Sequence, residues 1–479
     1  MAPLKLHGYQ DRAVEDLLRD PNHALYMDPG LGKTAIELTA FAELRDQLDV
    51  SRALIVAPLR VCHTVWPSEV EKWTPRLRIQ YIGDLTADLG SVDADIVTIN
   101  PERVGHLFGA RAVRTSKKSG KDYQFFRAGP WKDWRRRPEM LIIDESTKFK
   151  KSSGARTRTV KRYLDDFGRR TGMTGTPTPN GLIDLHGQML LIDGGAALGA
   201  NVGDYEERYF DGIVTSGKRS KGQRTIWRPK HGAFDKIMRR IAPRVTVLRD
   251  RDWLNLPQLI EVDVHVDLPA KVRKALDELR AEGSFAVDDF AVVTGGPARE
   301  RQLINGLVYN QVLPGQRPKD YTVVHQEKLN ALVDLIDQIG KPTLVAYEFV
   351  SERVEIIKRL KREGKRIAEL GRGVGAAREI AYMRAWDAGD IDVMVLHPDN
   401  PGLNIQAGGH HLIWFCPTWN LEHYQQLYRR LLRQGQLAEK VFVHRLMARG
   451  TVDVAVGRVL CKKDATQEDV FDAIEEYGQ

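Results

Sequence analysis

Two doubly wound α/β lobes, each built on a parallel sheet, with helical and basic insertions between them, are the fold class this sequence predicts. Three observations carry it. Short apolar, β-branched runs alternate with helical patterns through residues 1–190, a second such set begins near residue 342, and the stretch between is richer in glycine and basic residues and less periodic. A chain of 479 residues also exceeds what one hydrophobic core usually organises. The expected division is a first lobe at 1–190 with a basic insert at 111–137, helical elaboration and linker at 191–320, and a second lobe at 321–479.

The individual elements follow in order. ALIVAP at 53–58, DIVTIN at 95–100 and MLIIDE at 140–145 read as buried parallel strands, because a strand covered on both faces has no polar alternation. Residues 34–48 carry helical spacing. In the second set PTLVAYE at 342–348, DVMVLHP at 392–398 and HLIWFCP at 411–417 are strand-like, with a helical pattern at 351–362.

Composition narrows the class. Hydrophobic residues at 42% and charged residues at 28% fit a globular chain, and no run approaches the roughly 18 apolar residues of a membrane span. Cys62, Cys416 and Cys461 are scattered without ligand spacing, which suggests neither a disulfide framework nor a zinc site. The first ten residues lack a signal-peptide pattern, so a reducing, cytoplasmic setting is expected, with no membrane partner.

A net charge of +8 favours a polyanionic partner, and its distribution says more. Arg111, Arg114, Lys117, Lys118, Lys121, Arg127, Lys132, Arg135, Arg136 and Arg137 face only Asp122 and Asp133 in their stretch. Lys218, Arg219, Lys221, Arg224, Arg228 and Lys230 face no acid at all. Aromatic residues interleave both runs, including Trp131, Trp134 and Trp227. Each run alone reads as a solvated loop; two together point to nucleic-acid backbone contact, for which Arg114, Lys117, Lys118, Arg135, Arg136, Arg137, Lys218 and Arg219 are the candidates.

The chemistry-bearing motifs lie in the first lobe. DPGLGKT at 28–34 follows the apolar ALYM and opens a helical pattern, the strand, glycine loop and helix that cradle phosphates. Asp28, Pro29, Gly30, Leu31 and Gly32 form the loop, Lys33 reaches the β- and γ-phosphates, and the Thr34 hydroxyl ligates Mg²⁺. The strict pattern wants glycine at position 27, where this chain has Met27. DEST at 144–147 ends an apolar strand with two carboxylates; Asp144 holds Mg²⁺ and Glu145 acts as general base toward water. ATP and Mg²⁺ are therefore the expected cofactors.

With these motifs in place, nearly the whole chain resembles the superfamily-two helicases, and more narrowly the SNF-type, chromatin-remodeller-like ATPases of minimal bacterial or phage type. LHGYQ at 6–10 is similar to that family's adenine-sensing segment, which implies an adenine contact for Gln10. LIVAPLRV with Trp66, Glu69 and Trp73 resembles the segment after the first crossover, and TGTPTPNG at 174–181 resembles the element coupling hydrolysis to movement. The resemblance gives Gly175 and Thr176 that coupling role and has Asn180 secure the following turn. Where the family writes DEAH this chain writes DEST, so Ser146 and Thr147 alter the link to the coupling element. The lobes would be RecA-like.

QLYRRLLRQGQ at 426–436 matches the family's last motif, placing Arg430 and Arg433 on one face if the segment is helical. A planar guanidinium bridges γ-phosphate oxygens, so the pair is read as catalytic, with Gln426 and Gly402 of GLNIQAG as nucleotide contacts. DNP at 399–401 stands where relatives have AGG. HQEKLNALVDLI at 325–336 and the segment 240–257 resemble the entry to lobe two and the exit from lobe one.

The function implied is an ATP-dependent motor translocating on double-stranded DNA, in a bacterial or phage-infected cell, where nucleoid association would be compatible, with a protein partner for targeting. The alternatives are a strand-separating helicase on DNA or RNA, and, from another class, a non-motor nucleic-acid-binding or nuclease-targeting subunit.

Overall fold

A computed structural model describes residues 5–83, 89–115, 122–215, 224–282, 284–287, 291–294, 297–310, 320–371, 374–399 and 405–478. The chain forms two compact units: residues 1–253 with 463–479, and residues 254–462.

The first unit contains β1 (Asn22–Met27), β2 (Ala53–Val56), β3 (Ile79–Tyr81), β4 (Ile96–Ile99), the hairpin β5 (Gly109–Thr115) and β6 (Asp122–Ala128), β7 (Met140–Asp144), β8 (Arg169–Thr174), the hairpin β9 (Phe210–Thr215) and β10 (Arg224–Pro229), and β11 (Val245–Leu248). Seven of them make one sheet in the order β11-β1-β8-β7-β2-β4-β3. Every pairing in it is parallel. β2 and β4 are wholly buried, which explains their unbroken apolar character. Leu54, Val56, Leu141 and Ile143 pack with Phe108, Trp131 and Phe149, while Ala24 and Tyr26 pack with Met189, Ile237 and Phe471. Since β1, β8 and β7 are neighbours running the same way, their C-terminal ends share one edge, the usual ligand position in such sheets.

The second unit contains β12 (Gln258–Val266), two hairpins formed by β13 (Ser284–Val287) with β14 (Ala291–Thr294) and β15 (Leu307–Tyr309) with β16 (Tyr321–Val323), then β17 (Thr343–Ala346), β18 (Ile367–Leu370), β19 (Val393–Leu396), β20 (His411–Trp414) and β21 (Lys440–Ala448). Its parallel six-stranded sheet runs β12-β21-β20-β17-β19-β18. Leu344, Met394, Leu412 and Val443 enter one core, and Val345, Val393, Ile413 and Leu446 the other. Both faces are therefore covered, as the doubly wound expectation requires. A buried pair anchors this unit: Lys328 Nζ lies 2.6 Å from Asp453 Oδ2 and also donates to the Asn305 side chain and the Phe415 carbonyl.

The division differs from the expected 1–190, 191–320 and 321–479. Residues 191–320 are not a separate elaboration, because β11 joins the first sheet beside β1 and β12 joins the second beside β21. Both are sheet-edge strands with partly exposed positions, so neither carries the continuous apolar run of a central strand. The helix Val452–Gly478 also crosses the boundary: Val456 and Leu460 enter a second-unit core, while Val470, Phe471 and Ile474 enter a first-unit core.

Candidate nucleotide site

The phosphate loop leaves β1 and closes on the helix Lys33–Asp46. Gly30 and Gly32 have φ of 95° and 80°, a region side chains disfavour. At Gly32 a Cβ would lie 2.3 Å from Gln10 Nε2, so a side chain there would also displace the Gln10 amide from the loop. The Gln10 amide donates to the Leu31 carbonyl at 3.0 Å and accepts the His7 N–H at 2.9 Å, which seats it against the loop. Lys33 Nζ rests on the carbonyls of Met27 (2.7 Å) and Asp28 (3.2 Å). Met27 ends the strand with its side chain fully buried, which accounts for the departure from glycine there. Asp28, also buried, donates its N–H to the Leu248 carbonyl and accepts the Asp250 N–H, tying the loop to the end of β11. The positive-φ loop and helix N-terminus suit a triphosphate. One hydroxyl, Thr34, with one carboxylate, Asp144, suits Mg²⁺, which keeps most of its waters.

At the end of β7, Asp144 Oδ2 accepts the indole N–H of fully buried Trp66 at 3.1 Å. Burial raises the Asp144 pKa, opposed by the Trp66 hydrogen bond and the Lys33 charge. Glu145 stands in the left-handed region at φ 57°, unusual for a glutamate. Thr174 Oγ1 at the end of β8 donates to Glu145 Oε2 at 3.4 Å and accepts the Thr176 N–H at 3.1 Å. The Ser146 hydroxyl donates to Gln188 Oε1 at 2.7 Å, and Gln188 Nε2 donates to the Pro177 carbonyl at 2.7 Å. The Ser of DEST is thus linked to the glycine–threonine–proline segment through a third side chain. Asn180 closes the following turn by donating its N–H and its amide to Asp184 Oδ2.

Beneath this edge lies a residue that sequence reasoning missed. Glu37, four after Lys33, is fully buried and accepts from Thr171 Oγ1 at 3.0 Å. Burial, with the Asp144 charge adding to it, pushes its carboxyl up to about 8. An acid on the inward face of the phosphate-loop helix is the available signal. Gln188 had none beyond its residue type, while Trp66 stood in the sequence only as part of the segment after the first crossover, without a role.

In the second unit Gln426 lies half-buried in the helix Leu421–Tyr428. That helix ends before Arg430 and Arg433, which lie in the turn and bend that follow, so the condition for one shared helical face is not met. The reason is local. Gly435 takes φ 92°, and Gln436 Nε2 donates to the carbonyls of Gln406, Gly409 and Leu431, replacing helical bonds. Arg430 is buried, and Arg433 Nε donates to the Arg429 carbonyl at 3.1 Å; burial lowers the Arg433 pKa. Gly402 lies outside the described residues.

Both basic stretches run through hairpins, β5–β6 and β9–β10, rather than loops alone. Lys117, Lys118, Lys218 and Arg219 lie outside the described residues, and Arg114 is placed only by its backbone in β5. Arg135 and Arg136 are exposed, while Arg137 pairs with Asp166 at 3.4 Å. The expected aromatic interleaving is corrected: Trp131 and Trp134 are buried in the core beneath β2 and β7, and Trp227 packs on the core around Tyr205. Apolar area outweighs exposure for such rings. No helix among the described residues is long and apolar enough to cross a membrane.

Residues 9–197 match the SNF2-related domain. The chain is 27% identical to protein p41 of Acyrthosiphon pisum secondary endosymbiont phage 1, over 97% of this chain and 98% of that protein. It is 25% identical to the chromodomain-helicase-DNA-binding protein 1-like of Mus musculus over 57% of this chain, and 32% identical to CHROMATIN REMODELING 20 of Arabidopsis thaliana over 33%. It spans only 27% and 11% of the length of those two proteins. Among solved structures, the Sulfolobus solfataricus SWI2/SNF2 ATPase core in complex with double-stranded DNA aligns over 98% of this chain and 95% of that one, at 18% identity and a TM-score of 0.41.

Proposed function

We propose, from the match of residues 9–197 to the SNF2-related domain, that this chain is an ATP-hydrolysing enzyme that couples hydrolysis to translocation along double-stranded DNA. One observation carries the reading: β1, β8 and β7 lie side by side, so the phosphate loop, the Thr174–Thr176 segment and the Asp144–Glu145 pair emerge at one edge, with Thr174 hydrogen-bonded to Glu145.

In this reading Lys33 leaves the Met27 and Asp28 carbonyls for the β- and γ-phosphates, and Gln10 selects the adenine. Thr34 and Asp144 would hold Mg²⁺, which would supply neutralisation of phosphate charge when bound. Glu145 takes the proton of the attacking water. Arg430 and Arg433 neutralise charge on the transferring phosphoryl group, with Gln426 and Gly402 contacting the nucleotide. Arg135 and Arg136, exposed and beside the first basic hairpin, grip phosphates of the duplex. The likeness to a phage protein over nearly its whole length supports a phage-type member, and a protein partner that targets the motor belongs to the same proposal.

Steady-state ATPase rates with duplex DNA, single-stranded DNA and RNA test the proposal. Duplex DNA is expected to stimulate turnover most; stimulation by RNA alone would overturn it.

A further inference from the structure

The Gly175–Thr176 peptide is held at both ends. Its N–H donates to Thr174 Oγ1 at 3.1 Å, and its carbonyl accepts the side-chain amide of Gln467 at 3.2 Å. Gln467 comes from the helix Val452–Gly478, far along the chain, and is only 1% exposed. Thr174 Oγ1 in turn donates to Glu145 Oε2, so one chain of hydrogen bonds runs from Gln467 through the peptide and Thr174 to the general base.

Two further observations show that this peptide has little room. A Cβ on Gly175 would meet Pro29 Cδ at 3.1 Å and the Met27 carbonyl at 3.2 Å, so the segment sits against the phosphate loop itself. The helix carrying Gln467 is clamped nearby: Arg249, 4% exposed, lies 2.6 Å from Asp472, 3.3 Å from Glu475 and 3.8 Å from Glu468. Phe471 and Ile474 are buried in the same core as Tyr26 of β1. The amide is therefore presented from a fixed platform.

We propose that Gln467 is a positioning residue for hydrolysis: by holding the Gly175 carbonyl it sets the Gly175–Thr176 peptide and, through Thr174, the orientation of Glu145. This rests on reading Glu145 as the general base. A hydrogen bond that orients a catalytic group without touching substrate affects kcat more than nucleotide binding.

The test compares Gln467→Met, which removes the donor at nearly constant volume, with Asp472→Asn, which loosens the Arg249 clamp on the same helix. Expected for Gln467→Met is a kcat lower by about tenfold, with KM for ATP within about twofold and Tm within about 3 °C. Asp472→Asn is expected to keep the wild-type kcat, because Glu475 and Glu468 still hold Arg249 and the buried Phe471 and Ile474 still seat the helix. A wild-type kcat in Gln467→Met overturns the proposal. So does a loss matched by Asp472→Asn in step with Tm, which would mark the helix as merely structural. Should Gln467→Met not fold, Gln467→Glu, with an acceptor in place of the donor, is read by the same criteria. The kcat effect is measured with and without duplex DNA. Absence of DNA stimulation in the wild type would refute the DNA track and leave the Gln467 comparison readable in DNA-free turnover; a Glu145→Gln variant with normal turnover would refute the general-base reading.

Discussion

The Trp66 indole N–H is 3.1 Å from Asp144 Oδ2, joining the segment after the first crossover to the end of β7. The bond favours the ionised carboxylate, while burial opposes it and dominates, leaving the Asp144 pKa raised. Removing the donor must raise it further. Trp66→Phe is therefore expected to shift the acidic limb of the kcat/KM–pH profile for ATP toward higher pH, with activity best retained on the alkaline side. An unshifted limb would show that Trp66 does not hold the charge of Asp144.

Glu37 makes a prediction about stability. Its carboxyl sits near 8 in the folded chain against about 4.3 when unfolded, so the folded state binds the extra proton. The wild type then loses stability as pH rises from about 4.3 to 8. Glu37→Gln removes that slope, and near pH 7 it should stabilise on the order of 3 kcal/mol, with the gain vanishing below pH ~4.3. Urea unfolding at pH 4, 7 and 8 checks this; a gain independent of pH would mean that Glu37 is ionised in the fold.

For the chemistry itself, Lys33→Ala and Glu145→Gln should each lower kcat by about a hundredfold or more at an unchanged far-ultraviolet circular dichroism spectrum. Near-wild-type hydrolysis in either variant would remove the role assigned to that residue.

Arg433→Ala separates hydrolysis from folding in the second unit. A guanidinium acting on the transferring phosphoryl group is worth roughly a thousandfold or more in rate, so turnover should vanish while a fluorescent ATP analogue still binds. Retained turnover would reduce Arg433 to its bond with the Arg429 carbonyl.

The basic run offers a graded test. Replacing Arg135 and Arg136 by alanine should weaken duplex binding and reduce the slope of log K against log salt by about 1 to 2. Arg137, already paired with Asp166, should contribute less. An identical slope would make the run a solvated surface.

The central strands and the phosphate loop were legible because burial on both faces demands continuous apolar runs and because the loop's glycines, lysine and threonine stand in fixed order. β2, β4, β7, β17, β19 and β20 all lie where those runs place them. The edge strands β11 and β12 were not, since partial exposure leaves an alternating, polar-rich pattern that resembles linker. Trp131 and Trp134 show the limit of composition: aromatic residues among arginines look like a nucleic-acid surface, and only tertiary packing reveals that they are core. The departure at Arg430 and Arg433 has the same origin, because spacing of three is shared by a helix and by a turn and bend closed by a glutamine.

The long C-terminal helix carries a consequence for biosynthesis. Val470, Phe471 and Ile474 complete the core around Tyr26 and Ile237, yet the ribosome makes them after the whole intervening unit. The N-terminal unit therefore reaches its final packing late, with the core beside the phosphate loop awaiting its last helix. Maturation of the nucleotide-binding unit is thereby coupled to synthesis of the second unit that separates its two segments.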